Sequence, residues 1–132
     1  MKKRITALGL LWCLSAVMLQ AARVDTVLVR SVAMNKDVKV VYVLPDKAIG
    51  KQACPVVYLL HGYGGNARSW MQLKPELPQM ADEKGIIFVC PDGKNSWYWD
   101  SPENPAYRYE TFVTSELVKY TDGNYATIPD RK

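Results

Sequence analysis

Histidine is nearly absent from this chain: His61 is the only one in 132 residues. That scarcity excludes a metal centre of ordinary spacing, because one imidazole and scattered carboxylates do not make the clustered ligands such a centre needs. No metal and no cofactor are expected. Cysteine is almost as scarce, with three in all. Cys13 sits behind Trp12 in an apolar run and lacks the small preceding residue of a lipidated cysteine. Cys54 and Cys90 flank two candidate strands, one before its strand and one at the end of its own. A strand of about five residues at ~3.3 Å each would hold them beyond the ~7 Å that a disulfide spans. Both are expected as buried thiols.

A second absence concerns the nucleophile. The pattern Gly-x-Ser-x-Gly, which holds a serine on a tight strand-to-helix turn, occurs nowhere. Ser69 lies in ARSWM, Ser96 in KNSWY, Ser101 in WDSPE and Ser115 in VTSEL, none between glycines. These read as caps, turns or surface hydroxyls. His61 as a general base would need a nucleophile within reach; its place before Gly62 suits shaping a loop through hydrogen bonds. Asp92 and Asp100 read as turn or pocket residues.

Long apolar runs are confined to the start. Lys2, Lys3 and Arg4 precede the run from Ile5 to Leu19, which ends in Gln20-Ala21-Ala22. This is the pattern of a secretory signal peptide, shorter than the roughly 20 residues of a membrane span. Residues 1–22 are therefore expected to be a leader and 23–132 a domain, exported to the periplasm or secreted, without a stable membrane anchor. Without the leader's three basic residues the formal charge falls from +4 to +1, so the basic balance that would point to nucleic acid disappears.

What remains is an α/β pattern. Val24, Val27, Val29 and Val32 mark one β-rich stretch and Val38 to Leu44 another, joined by a turn at Asn35-Lys36-Asp37. Asp46 to Ala53 is a polar loop. The continuous apolar runs Val56 to Leu60 and Ile86 to Cys90 predict strands buried on both faces. Between them the three-and-four spacing of Trp70, Met71, Leu73, Leu77, Met80 and Ala81 predicts a helix broken near Pro75 and Pro78 and ending before Gly85. A second helical period runs from Tyr109 through Phe112, Val113, Leu117 and Tyr120 to Asp122-Gly123. This implies a mostly parallel sheet covered by helices. IPDRK at the end looks like the approach to another strand. A central strand at Val56 to Leu60 would need a later partner on one edge, and the chain is expected to be truncated before it.

Two loops follow the buried strands. Gly62, Tyr63, Gly64 and Gly65 form a glycine-rich turn after His61, able to bring backbone N–H groups close to a ligand. Trp97, Tyr98 and Trp99, in a loop after the neighbouring strand, are candidates for lining an acyl or sugar pocket. Sites in parallel α/β sheets gather at such carboxyl ends.

LLHGYGGN, FVCPDG and SWYWDSP before a helix resemble the esterase family of α/β-hydrolases, which includes S-formylglutathione hydrolases, tributyrin and acetyl esterases, feruloyl esterases and mycolyltransferases. The resemblance covers nearly all of the chain after the leader. It implies the amino-terminal half of an α/β-hydrolase fold, a Ser-His-Asp triad with an acyl-enzyme intermediate, and a small-molecule or carbohydrate ester as substrate. It maps one oxyanion N–H onto Tyr63. The elbow serine, the acid and the triad histidine are missing, so the chain by itself is expected to be inactive. The alternative is a noncatalytic exported glycan-binding module, or a pseudoenzyme of the same fold.

Overall fold

The computed structural model describes residues 22–130. The leader expected at residues 1–22 falls, except for Ala22, outside the described residues. Valines on alternate positions build a hairpin of β1 (Arg23–Ser31) and β2 (Lys36–Leu44), with Val29 opposite Val38 and Ser31 opposite Lys36. The turn lies two to three residues earlier than its polar residues predict. Residues 32–35 form it, Asn35 takes a positive φ of 52° that asparagine tolerates, and Lys36 and Asp37 already pair with β1. Val32, expected in a strand, is exposed in that turn. Glu116 reaches over from a distant helix: its carboxylate accepts the Ser31 hydroxyl at 2.8 Å and the Val32 and Ala33 N–H groups.

A short helix α1 (Asp46–Ile49) occupies part of the expected polar loop. Then come β3 (Val56–Tyr58), α2 (Ser69–Leu73), α3 (Leu77–Lys84) and β4 (Ile87–Pro91). The helix break at Pro75 and Pro78 and the stop at Gly85, whose φ of 63° makes a left-handed cap, follow the sequence reading. The described strands order β1-β2-β4-β3. Only β3 and β4 pair in parallel; β2 meets β4 antiparallel, with Val41 opposite Cys90. The sheet is therefore mixed where a mostly parallel one was expected. A four-residue turn can join only antiparallel strands, so the hairpin that precedes the β-α-β unit brings its own direction.

Alternation along the central strands feeds two cores. Val40, Tyr42, Leu44, Ile87 and Val89 pack against Tyr109, Phe112 and Leu117. Val41, Val43, Phe88 and Cys90 pack against Leu77 and Ala81 on the other face. The last helix is built from α4 (Tyr109–Thr111), a π turn at Phe112–Glu116 and α5 (Leu117–Asn124). Phe112 and Leu117 are five residues apart, too far round for one face of an α-helix; the wider π turn puts both in the core.

β3 departs most from expectation. It is three residues long rather than five, lies at the edge of the described sheet, and leaves Val57 and Leu60 part-exposed. Ile87 N–H donates to the Pro55 carbonyl and Leu59 N–H to that of Val89, so the odd-numbered residues face β4 and Val56 and Tyr58 turn their backbone outward. A groove of about 530 Å³ runs along this edge, lined by Val56, Tyr58, Val113, Val118, Ile128 and Pro129 among others. The chain's end does approach it. Thr127 forms a parallel bridge with Cys54, which donates to the Ala126 carbonyl and accepts from Ile128 N–H, both at 2.9 Å. No helix among the described residues is long and apolar enough to cross a membrane.

Cys54 and Cys90 are buried free thiols. Burial pushes Cys90 up to about 12 and raises Cys54 as well, leaving almost no thiolate at neutral pH. A Cys13→Ser variant is therefore expected to show no thiol reactive toward Ellman's reagent in buffer and two after unfolding in guanidinium. Fast reaction in buffer would contradict the buried placement.

Candidate active-site loops

β3 and β4 are adjacent and parallel, so the loops that leave their carboxyl ends lie side by side. His61 ties them together. Its Nδ1 lies 2.7 Å from the Gly62 carbonyl and its Nε2 is 2.9 Å from the Gly93 N–H. A backbone N–H can only donate, so Nε2 is the acceptor and Nδ1 carries the proton that goes to Gly62. This neutral tautomer follows from the geometry. Asp92 stands 3.6 Å from Nε2 but has nearer donors, the Lys94 N–H at 2.9 Å and the Lys94 ammonium at 3.3 Å. His61 is thus a buried brace between loops, as its position in the sequence implied.

Tyr98 completes the brace. Its hydroxyl accepts the His61 N–H at 3.0 Å, and its ring lies over Gly93 so closely that a Cβ there would stand 2.2 Å from Cε1. Burial pushes the phenol up to about 12, so it stays neutral. Ser96 is buried beneath the same loop, donating to the Gly93 carbonyl and accepting from Tyr98 N–H at 3.0 Å.

In the glycine loop, each N–H from Gly64 to Asn66 has an acceptor. Gly64 donates to Asn95 Oδ1 at 2.9 Å, Gly65 to the Gly62 carbonyl at 3.0 Å, and Asn66 to Ser69 Oγ at 2.8 Å. Gly64 needs its φ of 80°, and a Cβ on Gly65 would come within 2.9 Å of both Ser69 Oγ and His61 Nδ1. Trp70 Nε1 donates to the Leu60 carbonyl at 3.0 Å and fixes the entry to the loop. Among the described residues, the N–H groups of Gly62 and Tyr63 have no acceptor within the protein.

The aromatic cluster divides by direction. Tyr98 is half-buried against His61, whereas Trp97 and Trp99 are 73% and 51% exposed. Tyr63, 65% exposed, stacks on Trp97 with ring centroids 5.4 Å apart and planes at 25°. Ser69 and Ser101 serve as turn acceptors. Asp100 holds the start of α4 by accepting from the Thr111 N–H and hydroxyl, and the hydroxyl bond keeps its carboxyl below the usual range. Asn95 was not singled out by sequence, since a lone asparagine in a loop carries no signal beyond turn preference. Among the described residues no three His, Cys, Asp or Glu side chains are grouped as metal ligands.

Residues 31–132 match the sequence profile of the family described as "Putative esterase". An acetyl esterase of Caldicellulosiruptor saccharolyticus is 26% identical over 96 residues, covering 67% of this chain and 35% of that protein. An S-formylglutathione hydrolase from Agrobacterium tumefaciens superposes with a TM-score of 0.72 at 25% identity, covering 82% of this chain and 46% of that one. A ferulic acid esterase superposes with a TM-score of 0.70 at 26% identity, covering 84% and 48% respectively. The chain thus spans less than half the length of these relatives.

Proposed function

The chain belongs to this esterase family of serine hydrolases, and from that premise we propose that it is the amino-terminal part of an exported carboxylic-ester hydrolase, supplying one oxyanion donor and part of the substrate pocket. The observation that carries the reading is the free Tyr63 N–H, in a loop where the next three N–H groups are all taken. A donor with no protein partner, held by a braced loop at the end of a parallel strand, suits the oxygen of a tetrahedral intermediate. The open edge of β3 and the short coverage of the relatives agree with a continuing chain.

In this reading a serine from the continuation attacks the ester carbonyl and passes its proton through a histidine to the leaving alcohol. The carbonyl oxygen gains negative charge as the new C–O bond forms, and the Tyr63 N–H accommodates it. His61 takes no proton in this scheme, since both its ring nitrogens are engaged in holding loops. Trp97, Tyr98 and Trp99 form or support one wall of the pocket.

Two observations test the proposal. The reading frame beyond codon 132 is expected to contain Gly-x-Ser-x-Gly within about twenty codons; a stop codon there would overturn it. The 132-residue chain alone is expected to hydrolyse p-nitrophenyl acetate no faster than buffer. Turnover abolished by a serine-directed inhibitor would show a nucleophile within the chain and sink the proposal.

A further inference from the structure

We propose that the cleft between β2 and the loop after β4 binds a phosphate group, either the free dianion or the head of a phosphate monoester. β4 stops at Pro91, opposite Val40, so residues 36–39 of β2 have no strand neighbour on that side among the described residues. A cavity of about 210 Å³ lies beside them, lined by Lys36, Lys39, Asp92, Lys94 and Tyr109 among others. It contains a hydroxyl without a partner. Tyr109 is only 1% exposed, and its ring meets the edge of Tyr107 and the Lys36 ammonium. Its O–H makes no hydrogen bond among the described residues, whereas those of Tyr42 and Tyr98 reach Thr121 and His61. Burying a hydroxyl without a partner is costly, so the cavity it lines calls for an acceptor. Burial raises its phenol, Asp92 adds to the rise and Lys94 opposes it, which keeps the group a donor at neutral pH.

The charges around the cleft do not balance. Lys36, Lys39 and Lys94 bring three positive charges to it. Asp92 offsets one of them, holding the Lys94 ammonium at 3.3 Å, and Asp37 is met by Arg30 at 3.6 Å. Two positive charges are left, the complement of a dianion. Lys36 is fixed in place, because its ammonium donates to the Ala106 carbonyl at 2.6 Å and lies over the rings of Tyr107 and Tyr109, which leaves further N–H groups for a ligand. Phosphate oxygens only accept, so they suit ammonium and phenol donors together. A monocarboxylate would meet one charge and a neutral sugar neither. Asp92 and Lys94 also flank Gly93, whose N–H the His61 ring holds. A filled cleft therefore ties down the segment that braces the glycine loop.

Calorimetric titration of the full chain with sodium phosphate tests the site, at constant ionic strength and about pH 8, where the group is dianionic. Saturable binding is expected, weakened about fivefold or more in Tyr109→Phe, which removes only the hydroxyl, and likewise in Lys39→Gln. Lys39 is exposed, so its variant reports on the site whatever Tyr109→Phe does to the fold, and near-ultraviolet dichroism checks both. Lys119→Gln, an equal loss of charge on α5 outside the cleft, should bind like the parent. Sulfate should displace phosphate, and acetate at the same concentration should not. Tighter binding of methyl phosphate than of inorganic phosphate assigns the cleft to a monoester and the reverse assigns it to the free ion; either supports the site. No saturable binding up to about 10 mM phosphate, unchanged affinity in Tyr109→Phe and Lys39→Gln, or an equal loss in Lys119→Gln would overturn it. The binding is read without an ester, so a stop at codon 132 would overturn the esterase reading and leave this site standing.

Discussion

Gly93→Ala is expected to destabilise the chain by roughly 3 kcal/mol, read as a lower urea midpoint at unchanged slope. The added methyl would lie 2.2 Å from Tyr98 Cε1 and 2.4 Å from Cζ, so the ring must leave. Overpacking alone costs about 1–3 kcal/mol. Moving the ring also breaks the bond from His61 N–H to the Tyr98 hydroxyl, and a buried donor left without a partner costs about 1–3 kcal/mol more. A double-mutant cycle isolates the cause. In a Tyr98→Ala background the clash is gone, and Gly93→Ala should cost less than about 1 kcal/mol. An equal cost in both backgrounds would mean that the Tyr98 ring does not pack on Gly93.

The second large effect concerns chemistry. On the proposed reading, in a chain extended through a continuing frame, replacing Tyr63 by its α-hydroxy acid turns the N–H into an oxygen and leaves the side chain in place. Loss of one oxyanion donor is expected to lower kcat about 10²–10³-fold, with KM nearly constant, because the bond strengthens only as charge develops on the carbonyl oxygen. The same exchange at Gly64 removes a donor already committed to Asn95, so its signature is lost stability with a much smaller fall in kcat. A drop below about threefold at Tyr63, or a change confined to KM, would remove Tyr63 from the oxyanion hole.

The parts of this fold that the sequence foretold are those decided locally. Pro75 interrupts the helix, Pro78 stands in the first turn of its restart, Gly85 ends it, and the apolar run from Ile87 into Cys90 is buried throughout. His61, placed between a strand and a glycine, does brace a loop. What could not be read depends on partners far along the chain. The antiparallel meeting of β2 and β4 leaves no trace in periodicity, since both directions use the same alternation. The shortness of β3, which has one strand neighbour among the described residues, is equally hidden, because nothing in its continuous apolar run marks where pairing stops. The π turn is hidden because Tyr109, Val113 and Leu117 recur every four residues, as in an ordinary α-helix. In the second loop, three adjacent aromatics look alike in sequence, yet two positive φ angles send Tyr98 inward and leave Trp97 and Trp99 outside.

That pair of angles also marks the place where ordinary rules of protein improvement would mislead. A designer who wished to make this chain more robust would choose residue 97 early, because glycine there relieves backbone strain and removes a large exposed apolar ring. The redesigned loop would be calmer and more soluble. It would also lose the indole that stacks on Tyr63 and that we propose as part of the pocket wall, so tolerance to substitution at Trp97 measured by folding and by ester turnover of an extended chain should run in opposite directions.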